Sequence, residues 1–426
     1  MYRITTCAVA AVAVSTLTAL PALATGLDRS QQSVLPVFDE PGTLGFSLSY
    51  VNPSLSGSDD VGTGSYDAGG DYTQLQFSYT GAITDRLSFT LIGDQPFGAD
   101  IFYDDDPATS GLGGTKADLG ADALTALLRY EFNERVSVFG GLRAQRAGGE
   151  VALNGRAYAQ ALSVINVANA AGTDSATLGA ALVGDPDAVA ALGGPLAVQA
   201  LGGAVQQQSG EFLAGGGYNV DIEDSWGAGL TVGAAYEIPE IALRLAVTYH
   251  SKIEHEGDSV ERFGFAAAGS GAPIEGSTDF ETPQSVNVEF QTGVAEDTLL
   301  LASVRWTDWG SFDVIPPVLG RDLATTDAEW RYNLGVARRF TPDFVGLASI
   351  TYEPSQDLDN TSPLSPTDGL IGLNIGGSYE TGAVTISGGI NYSILGDADA
   401  GVAGQDVASF DDNDAWGVGV RVSYEF

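Results

Sequence analysis

The chain has 426 residues, with 55 Asp and Glu against 18 Lys and Arg and a formal net charge of −37. This balance excludes a nucleic-acid partner bound through phosphate neutralisation, which needs clustered Lys and Arg, and disfavours docking on an anionic membrane surface. With 56 Gly, 16 Tyr, 18 Phe and a single Cys, the composition favours strands and turns and leaves no disulfide framework or Cys-based metal site.

Residues 1–24 read as a secretory signal peptide. Arg3 supplies the positive start, Cys7 to Leu20 is an uncharged apolar run, and Ala22-Leu23-Ala24 offers small residues for cleavage. The run is shorter than the roughly 20 residues that span hydrocarbon as a helix. Cleavage would remove Cys7 and leave the exported chain without a thiol.

From Leu44 onward, period-two alternation dominates. Leu44, Phe46, Leu48 and Tyr50 alternate with Gly45, Ser47 and Ser49, which is a strand with two unlike faces. The pattern recurs at 73–83, 87–91, 126–132, 136–145, 226–238, 241–251, 286–290, 300–306, 330–340, 344–352, 371–379, 384–394 and 416–426, giving fourteen segments. Their connections alternate short and long. Thr84-Asp85-Arg86, Asn133-Glu134-Arg135, Pro239-Glu240, 294–297, Thr341-Pro342-Asp343 and Thr381-Gly382 are short; 53–71, 104–120, 146–224, 252–282, 310–327, 354–367 and 395–413 are long. Tight turns therefore gather at one end and long loops at the other, as in outer-membrane barrels, whereas a soluble sandwich has no reason to sort its loops.

The apolar face of these segments carries almost no ionisable residue. The opposite face carries Arg129, Arg143, Arg244, Arg305, Arg331, Arg339 and Arg421 with Glu131, Glu237, Glu289, Glu329 and Glu425, a set suited to a polar lumen. Aromatics at segment ends, including Tyr50, Tyr79, Phe132, Trp306, Trp330, Tyr352, Tyr392 and Trp416, fit interfacial girdles, although β-propensity accounts for some of them. The terminal Phe426 continues the phase of Val418, Val420, Val422 and Tyr424. The expected fold is all-β: a 14-stranded antiparallel transmembrane β-barrel over residues 44–426, closed so that hydrocarbon meets no unpaired backbone.

Two interruptions stand out. The third segment loses its alternation at Gly93-Asp94-Gln95-Pro96-Phe97-Gly98, where Pro96 cannot donate to a ladder and the glycines permit a kink; an ordinary strand end reads the same way. The third long loop, 146–224, is rich in Ala, Leu and Val, and its Gly-Asp-Pro and Gly-Gly-Pro breaks predict two or three short helices, with Asp185-Pro186 as one helix start. Its apolar residues, Leu162 and Ile165 among them, either pack together as a lid or form a landing groove with Phe263, Phe265 and Ile274 of the loop at 252–282.

No nucleophile elbow, phosphate loop or zinc signature occurs in a fitting context, so an enzyme is not expected, nor is a cofactor. His250 and His255 stand at a spacing that defines no metal geometry. The Asp-rich loops (Asp59, Asp60, Asp104 to Asp106, Asp397, Asp399, Asp411, Asp412) either bind calcium, alone or shared with lipopolysaccharide phosphates, or keep the surface solvated.

The order and spacing of Ser225-Trp226-Gly227-Ala228-Gly229, Ala235-Tyr236-Glu237, 247–252, 283–288, Arg305-Trp306-Thr307-Asp308-Trp309 and 330–335 resemble the FadL/TodX (OmpP1) family of outer-membrane transporters for long-chain fatty acids and other hydrophobic compounds. The resemblance implies fourteen strands, an N-terminal plug, a third-strand kink opening sideways to the membrane, and weak ligand capture at the third and fourth extracellular loops. It assigns the plug to residues 25–43, with Asp28, Arg29 and Phe38, about half the length usual in the family and without its Asn-Pro-Ala segment. It maps Gly98, within Gly93, Pro96 and Phe97, onto the kink. A carboxylate ligand would need a cation, and Arg143, Arg244 and Arg305 have the right phase, unless they pair with lumenal Glu. The implied activity is passive uptake of hydrophobic molecules across the bacterial outer membrane, in contact with its lipids and lipopolysaccharide, by a monomer. The alternative is a general diffusion porin for small hydrophilic solutes.

Overall fold

The computed structural model describes residues 27–265, 271–324, 326–356 and 360–426; the expected signal peptide lies outside them. The strands are β1 (Thr43–Ser54), β2 (Ser56–Asp59), β3 (Ser65–Asp67), β4 (Tyr72–Thr84), β5 (Leu87–Asp94), β6 (Gly98–Phe102), β7 (Lys116–Asn133) and β8 (Val136–Leu153). Helices α1 (Gly155–Ala171), α2 (Ser175–Leu182), α3 (Pro186–Ala191) and α4 (Pro195–Ala214) follow. Then come β9 (Tyr218–Ile238), β10 (Leu243–His250), β11 (Ile253–Phe263), β12 (Ile274–Thr282), β13 (Ser285–Ala295), β14 (Thr298–Thr307), β15 (Glu329–Thr341) and β16 (Phe344–Glu353). β17 (Leu370–Thr381), β18 (Val384–Leu395), β19 (Ala398–Val402), β20 (Gln405–Phe410) and β21 (Asp414–Glu425) complete the chain.

Every ladder in the main sheet is antiparallel, and β1 pairs with both β4 and β21, so the sheet closes on itself. Fourteen wall strands result, because β5 with β6, β10 with β11, and β12 with β13 each form one interrupted strand. Register puts like with like: Phe46 lies opposite Phe77 on one side and Val422 on the other. The apolar face is turned outward, with Phe46, Leu48, Phe77, Leu334, Ile390 and Val420 exposed while Ser47, Ser49, Thr90, Thr125 and Thr248 are buried. This inside-out arrangement is stable in hydrocarbon, not in water. Among the described residues no helix is long and apolar enough to cross a membrane; the strands do that work.

At the short-turn end, Thr84 and Leu87, Asn133 and Val136, and Thr341 and Phe344 each close a hairpin around two intervening residues, with a bulge beside the turn. The bulge tightens the right-handed twist that a closed barrel needs.

The other end holds more regular structure than the alternation predicts. Residues 146–224 and 252–282 read as loops, yet β8 continues to Leu153, β9 begins at Tyr218, and β11 and β12 form a hairpin. Their outward residues there are acidic, as in Glu254, Glu256 and Asp258, and their inward residues are His255, Gly257 and Ser259. Above the apolar band the outer face meets water, so period two persists without its hydrophobic signature. The loop at 154–217 contains the four helices; Asp174 and Asp185 cap two of them by accepting from the N–H groups of Thr177 and Ala188. The long loops at 53–71 and 395–413 pair as a second sheet, β19-β20-β2-β3, over a buried core in which Tyr66 stacks on Phe410.

Residues 27–42 lie within the barrel, with a 3-10 turn at Leu35–Phe38. Val34 and Val37 pack against Ile92, Leu127 and Phe139 of the wall.

Candidate functional site: the wall kink and the upper lumen

In the third wall strand, β5 pairs with β4 as far as Gly93 opposite Phe77 and with β7 as far as Asp94 opposite Ala123. β6 resumes pairing with β7 at Gly98 opposite Gly120, while its ladder to β4 is gone. Pro96 turns its carbonyl inward, where it accepts from the N–H groups of Arg29 (2.8 Å) and Ser30 (3.4 Å), and Gly98 N–H donates to the Leu27 carbonyl (3.0 Å). The N-terminal segment is thus hydrogen-bonded to the kink itself.

The gap beside the kink is bridged by one side chain. Gln95 Oε1 accepts from Leu75 N–H (2.9 Å), a group the broken ladder leaves without a strand partner, and its Nε2 donates to Asp122 (3.2 Å). Gln74 adds a bond to the Gln95 carbonyl. Gln95 is therefore a crossbar between β4 and β7.

Glycines thin the wall next to it. Gly98, Gly120 and Gly148 lie in register across three neighbouring strands. A Cβ at Gly98 would come within 2.5 Å of the Arg29 guanidinium carbon, whereas one at Gly120 would meet nothing within 4 Å. Arg29 pairs with Asp100 and sits 4.1 Å above the Tyr72 ring. Gly93 is covered by the Phe77 ring. Phe97 is buried, its ring 5.2 Å from that of Trp309.

The three cations expected to meet a ligand carboxylate are all engaged with wall or N-terminal groups. Arg305 pairs with Asp28 (2.6 Å) and donates to Gln32, Ser285 and Asn287. Arg143 faces Asp94 (3.3 Å), which also receives the Ser30 hydroxyl (2.6 Å). Arg244 donates to Gln291 (3.1 Å) and lies 4.4 Å from the centre of the Phe38 ring, which Arg129 approaches as well. Asp28, Arg29 and Phe38 thus each meet wall charges.

Above the N-terminal segment the lumen turns apolar. A cavity of about 50 Å³ is lined by Leu27, Phe97, Ile222, Phe280, Trp309 and Phe312, along with the glycine row, and a neighbour of about 40 Å³ shares Leu27, Leu119, Phe312 and Val314 with it. On the glycine row's other side lies a recess of about 260 Å³ with Asp118, Asp122, Arg146 and Asp224. Higher still, Leu162, Phe263 and Phe265 join Phe212, Tyr218 and Val314 in one buried cluster, with Ile165 packed against it. Their rings pack on one another: Tyr218 with Phe263 at 4.7 Å and Phe212 with Phe265 at 5.2 Å. The five loop residues singled out in the sequence, Leu162, Ile165, Phe263, Phe265 and Ile274, are therefore brought together.

Sequence reasoning missed the contribution of residues 309–323. Trp309, Phe312, Val314 and Leu323 complete the apolar lining, and buried Glu261 holds this loop down by accepting from the N–H groups of Val318 (2.9 Å) and Leu319 (2.8 Å) and from the Tyr218 hydroxyl (3.0 Å). The Trp-rich stretch at 306–309 was the available signal. Beside the N-terminal segment, a separate polar cavity of about 150 Å³ is lined by Ser47, Gln74, Gln76, Asn333, Thr351 and Asn374, among others. His250 bonds Thr231, and His255 stacks on Phe280; among the described residues no cluster of three or more metal-ligating side chains occurs.

Residues 6–426 match the family model described as outer membrane protein transport protein (OMPP1/FadL/TodX). The chain is similar in fold to a Pseudomonas aeruginosa FadL homologue, with a TM-score of 0.65 and 15% identity over 92% of each chain. It is also similar to the P. putida toluene transporter TodX, with a TM-score of 0.59 and 15% identity over 98% of each chain. A third likeness is to the CymD monoaromatic hydrocarbon channel, with a TM-score of 0.57 and 15% identity over 96% of this chain and 98% of that one. No curated protein matches.

Proposed function

Because the chain belongs to the outer membrane protein transport family of OMPP1, FadL and TodX, a family of transporters and not enzymes, we propose that it carries hydrophobic compounds passively across the outer membrane by way of its upper lumen and third-strand kink. Solute is captured from the extracellular side at the aromatic cluster under α1 and α4, passes to the cavity at Trp309, and leaves sideways past the glycine row. Residues 27–42 act as the plug that closes the axial route.

One observation carries this reading. Apolar lining runs from the Phe212–Phe265 cluster through Val314 and Phe312 to Phe97, and ends where the wall is reduced to Gly98, Gly120 and Gly148. A water-filled porin lumen gains nothing from such a path, whereas an apolar solute is stabilised along it in proportion to the area it removes from water. The named relatives carry toluene and monoaromatic hydrocarbons, compounds that such a path suits.

The polar cavity below favours a second reading, hydrophilic diffusion past the N-terminal segment. Gly120→Leu separates the two. Its side chain enters open space, so the barrel should assemble, and uptake of a radiolabelled hydrophobic compound should fall at least about fivefold while small-sugar flux in liposomes stays unchanged. Equal loss of both, or loss of neither, would sink the lateral route.

A further inference from the structure

A solute on the proposed path meets a bottleneck of size. The two apolar cavities of the upper lumen measure about 50 and 40 Å³, whereas a cavity that takes one benzene ring is about 150 Å³. Passage therefore requires part of the lining to move aside. Leu27 adjoins the buried Asp28–Arg305 pair, and Leu119, Ala121 and Ile222 stand on wall strands tied to their neighbours by ladders. Val314 and Leu323 are different: they open and close a loop joined to the wall sheet by a single bridge, Val314 to Phe280.

Residues 314–323 form a closed unit. Leu323 N–H donates to the Val314 carbonyl (3.0 Å), the Asp322 carboxylate accepts from Val314 N–H (2.9 Å), and Gly320 N–H donates to the Pro316 carbonyl (2.8 Å). Compact surface loops whose ends meet in this way are frequently functional. With its ends joined and Pro316-Pro317 restricting the backbone between them, this one is built to swing as one body. Its underside is apolar, with Val314 and Leu323 buried and Leu319 packed against the same cluster, while Ile315 and Val318 face outward.

The tip of the loop is held by one group. Glu261 of β11, 1% exposed, accepts from the N–H groups of Val318 (2.9 Å) and Leu319 (2.8 Å), one on each carboxylate oxygen, and is steadied by the Tyr218 hydroxyl (3.0 Å). Among the described residues no other hydrogen bond joins 315–321 to the wall. Two charge-assisted bonds are a firm hold. They are also a reversible one, because water that enters as the loop lifts rehydrates the carboxylate and spares it an unpaired burial.

We propose that residues 314–323 are a lid on the upper lumen and that Glu261 is its latch, so that the loop lifts to admit a hydrophobic solute and closes again behind it. Glu261 is thus a positioning residue for transport, acting on the lid and not on the solute. This rests on the hydrophobic-transport reading above and adds the step by which solute enters cavities too small for it.

A reversible lock tests the lid. A Cβ at Gly276 of β12 would lie 3.2 Å from the Pro317 side chain, within reach of a disulfide between Gly276→Cys and Pro317→Cys, and Cys7→Ser removes the one native thiol. In bacterial cells producing this variant, closing the disulfide should cut uptake of radiolabelled toluene at least about tenfold, and dithiothreitol should restore it to within about twofold of wild type. Gly276→Cys alone should respond to neither treatment. Glu261→Gln tests the latch separately: it keeps the side-chain shape but takes one acceptor from the two N–H groups, so hydrogen exchange at Val318 and Leu319 should quicken by about tenfold or more, with β14 and β15 unchanged. Equal uptake with the disulfide closed and reduced, or exchange at Val318 and Leu319 within about twofold of wild type in Glu261→Gln, would overturn the proposal while transport stands. If wild-type cells take up toluene no faster than cells lacking the protein, the transport reading itself falls.

Discussion

Asp28→Asn tests how firmly the N-terminal segment is held. The Asp28 carboxylate and the Arg305 guanidinium are 3% and 5% exposed and 2.6 Å apart. Neutralising Asp28 leaves Arg305 buried with Gln32, Ser285 and Asn287 as neutral acceptors. Removing one partner of a buried pair typically costs about 3–5 kcal/mol, which at about 1.4 kcal/mol per decade is roughly two to three and a half powers of ten in the equilibrium between seated and released. Beyond this stretch further anchors remain: Ser33 on Glu289 (3.2 Å), and the Thr80 hydroxyl donating to the Pro36 carbonyl (2.7 Å). Release should therefore be confined to residues 27–32, with the turn at Leu35–Phe38 still docked. Hydrogen exchange by mass spectrometry should show protection at residues 28–32 falling by about a hundredfold or more, with residues 35–39 within about threefold of wild type, and planar-bilayer recordings should show larger conductance. Protection at residues 28–32 within about twofold of wild type would refute the reasoning, since the ion pair would then not be what seats the segment.

Two further outcomes are expected. Gln95→Ala removes the crossbar and leaves Leu75 N–H without an acceptor, so the barrel should lose about 1 kcal/mol of stability and hydrophobic uptake should rise by up to about fivefold; unchanged uptake with a folded barrel would show that Gln95 does not restrict the gap. Asp59, at the long-loop end, accepts from Gly111, Gly62 and Val61 N–H groups. Burial pushes its pKa up, but those bonds outweigh burial and leave it below the ordinary carboxylate value. Its contribution is thus complete above the unfolded value of about 4 and is lost as pH falls through the depressed folded one. The Gly111 amide proton should keep its shift from pH 8 to about 5 and move in stronger acid, whereas in Asp59→Asn it should show no such transition.

The wall was readable strand by strand because alternation is local: a side chain's face follows from its parity, whatever lies beside it. Leu44 to Tyr50 declare their outer face without help from a neighbour, and Asp85-Arg86 or Pro342-Asp343 mark a turn by themselves. The strand break at Pro96 was visible for the same reason, since a proline removes a donor wherever it stands. Acidic alternation at 253–260 hid the hairpin of β11, because its outer residues face water and carry no hydrophobic mark.

Sequence by itself determined that this protein is a closed, membrane-facing set of alternating strands with tight turns at one end and a weakened third strand. Only the tertiary structure decided that Gly98, Gly120 and Gly148 share one row, that Asp28 reaches Arg305 across 277 residues, and that Trp309 packs against Phe97 in an apolar cavity. Those facts depend on inter-strand register and on what fills the lumen. Both are set when the barrel closes and brings distant segments within bonding distance, which no local pattern encodes.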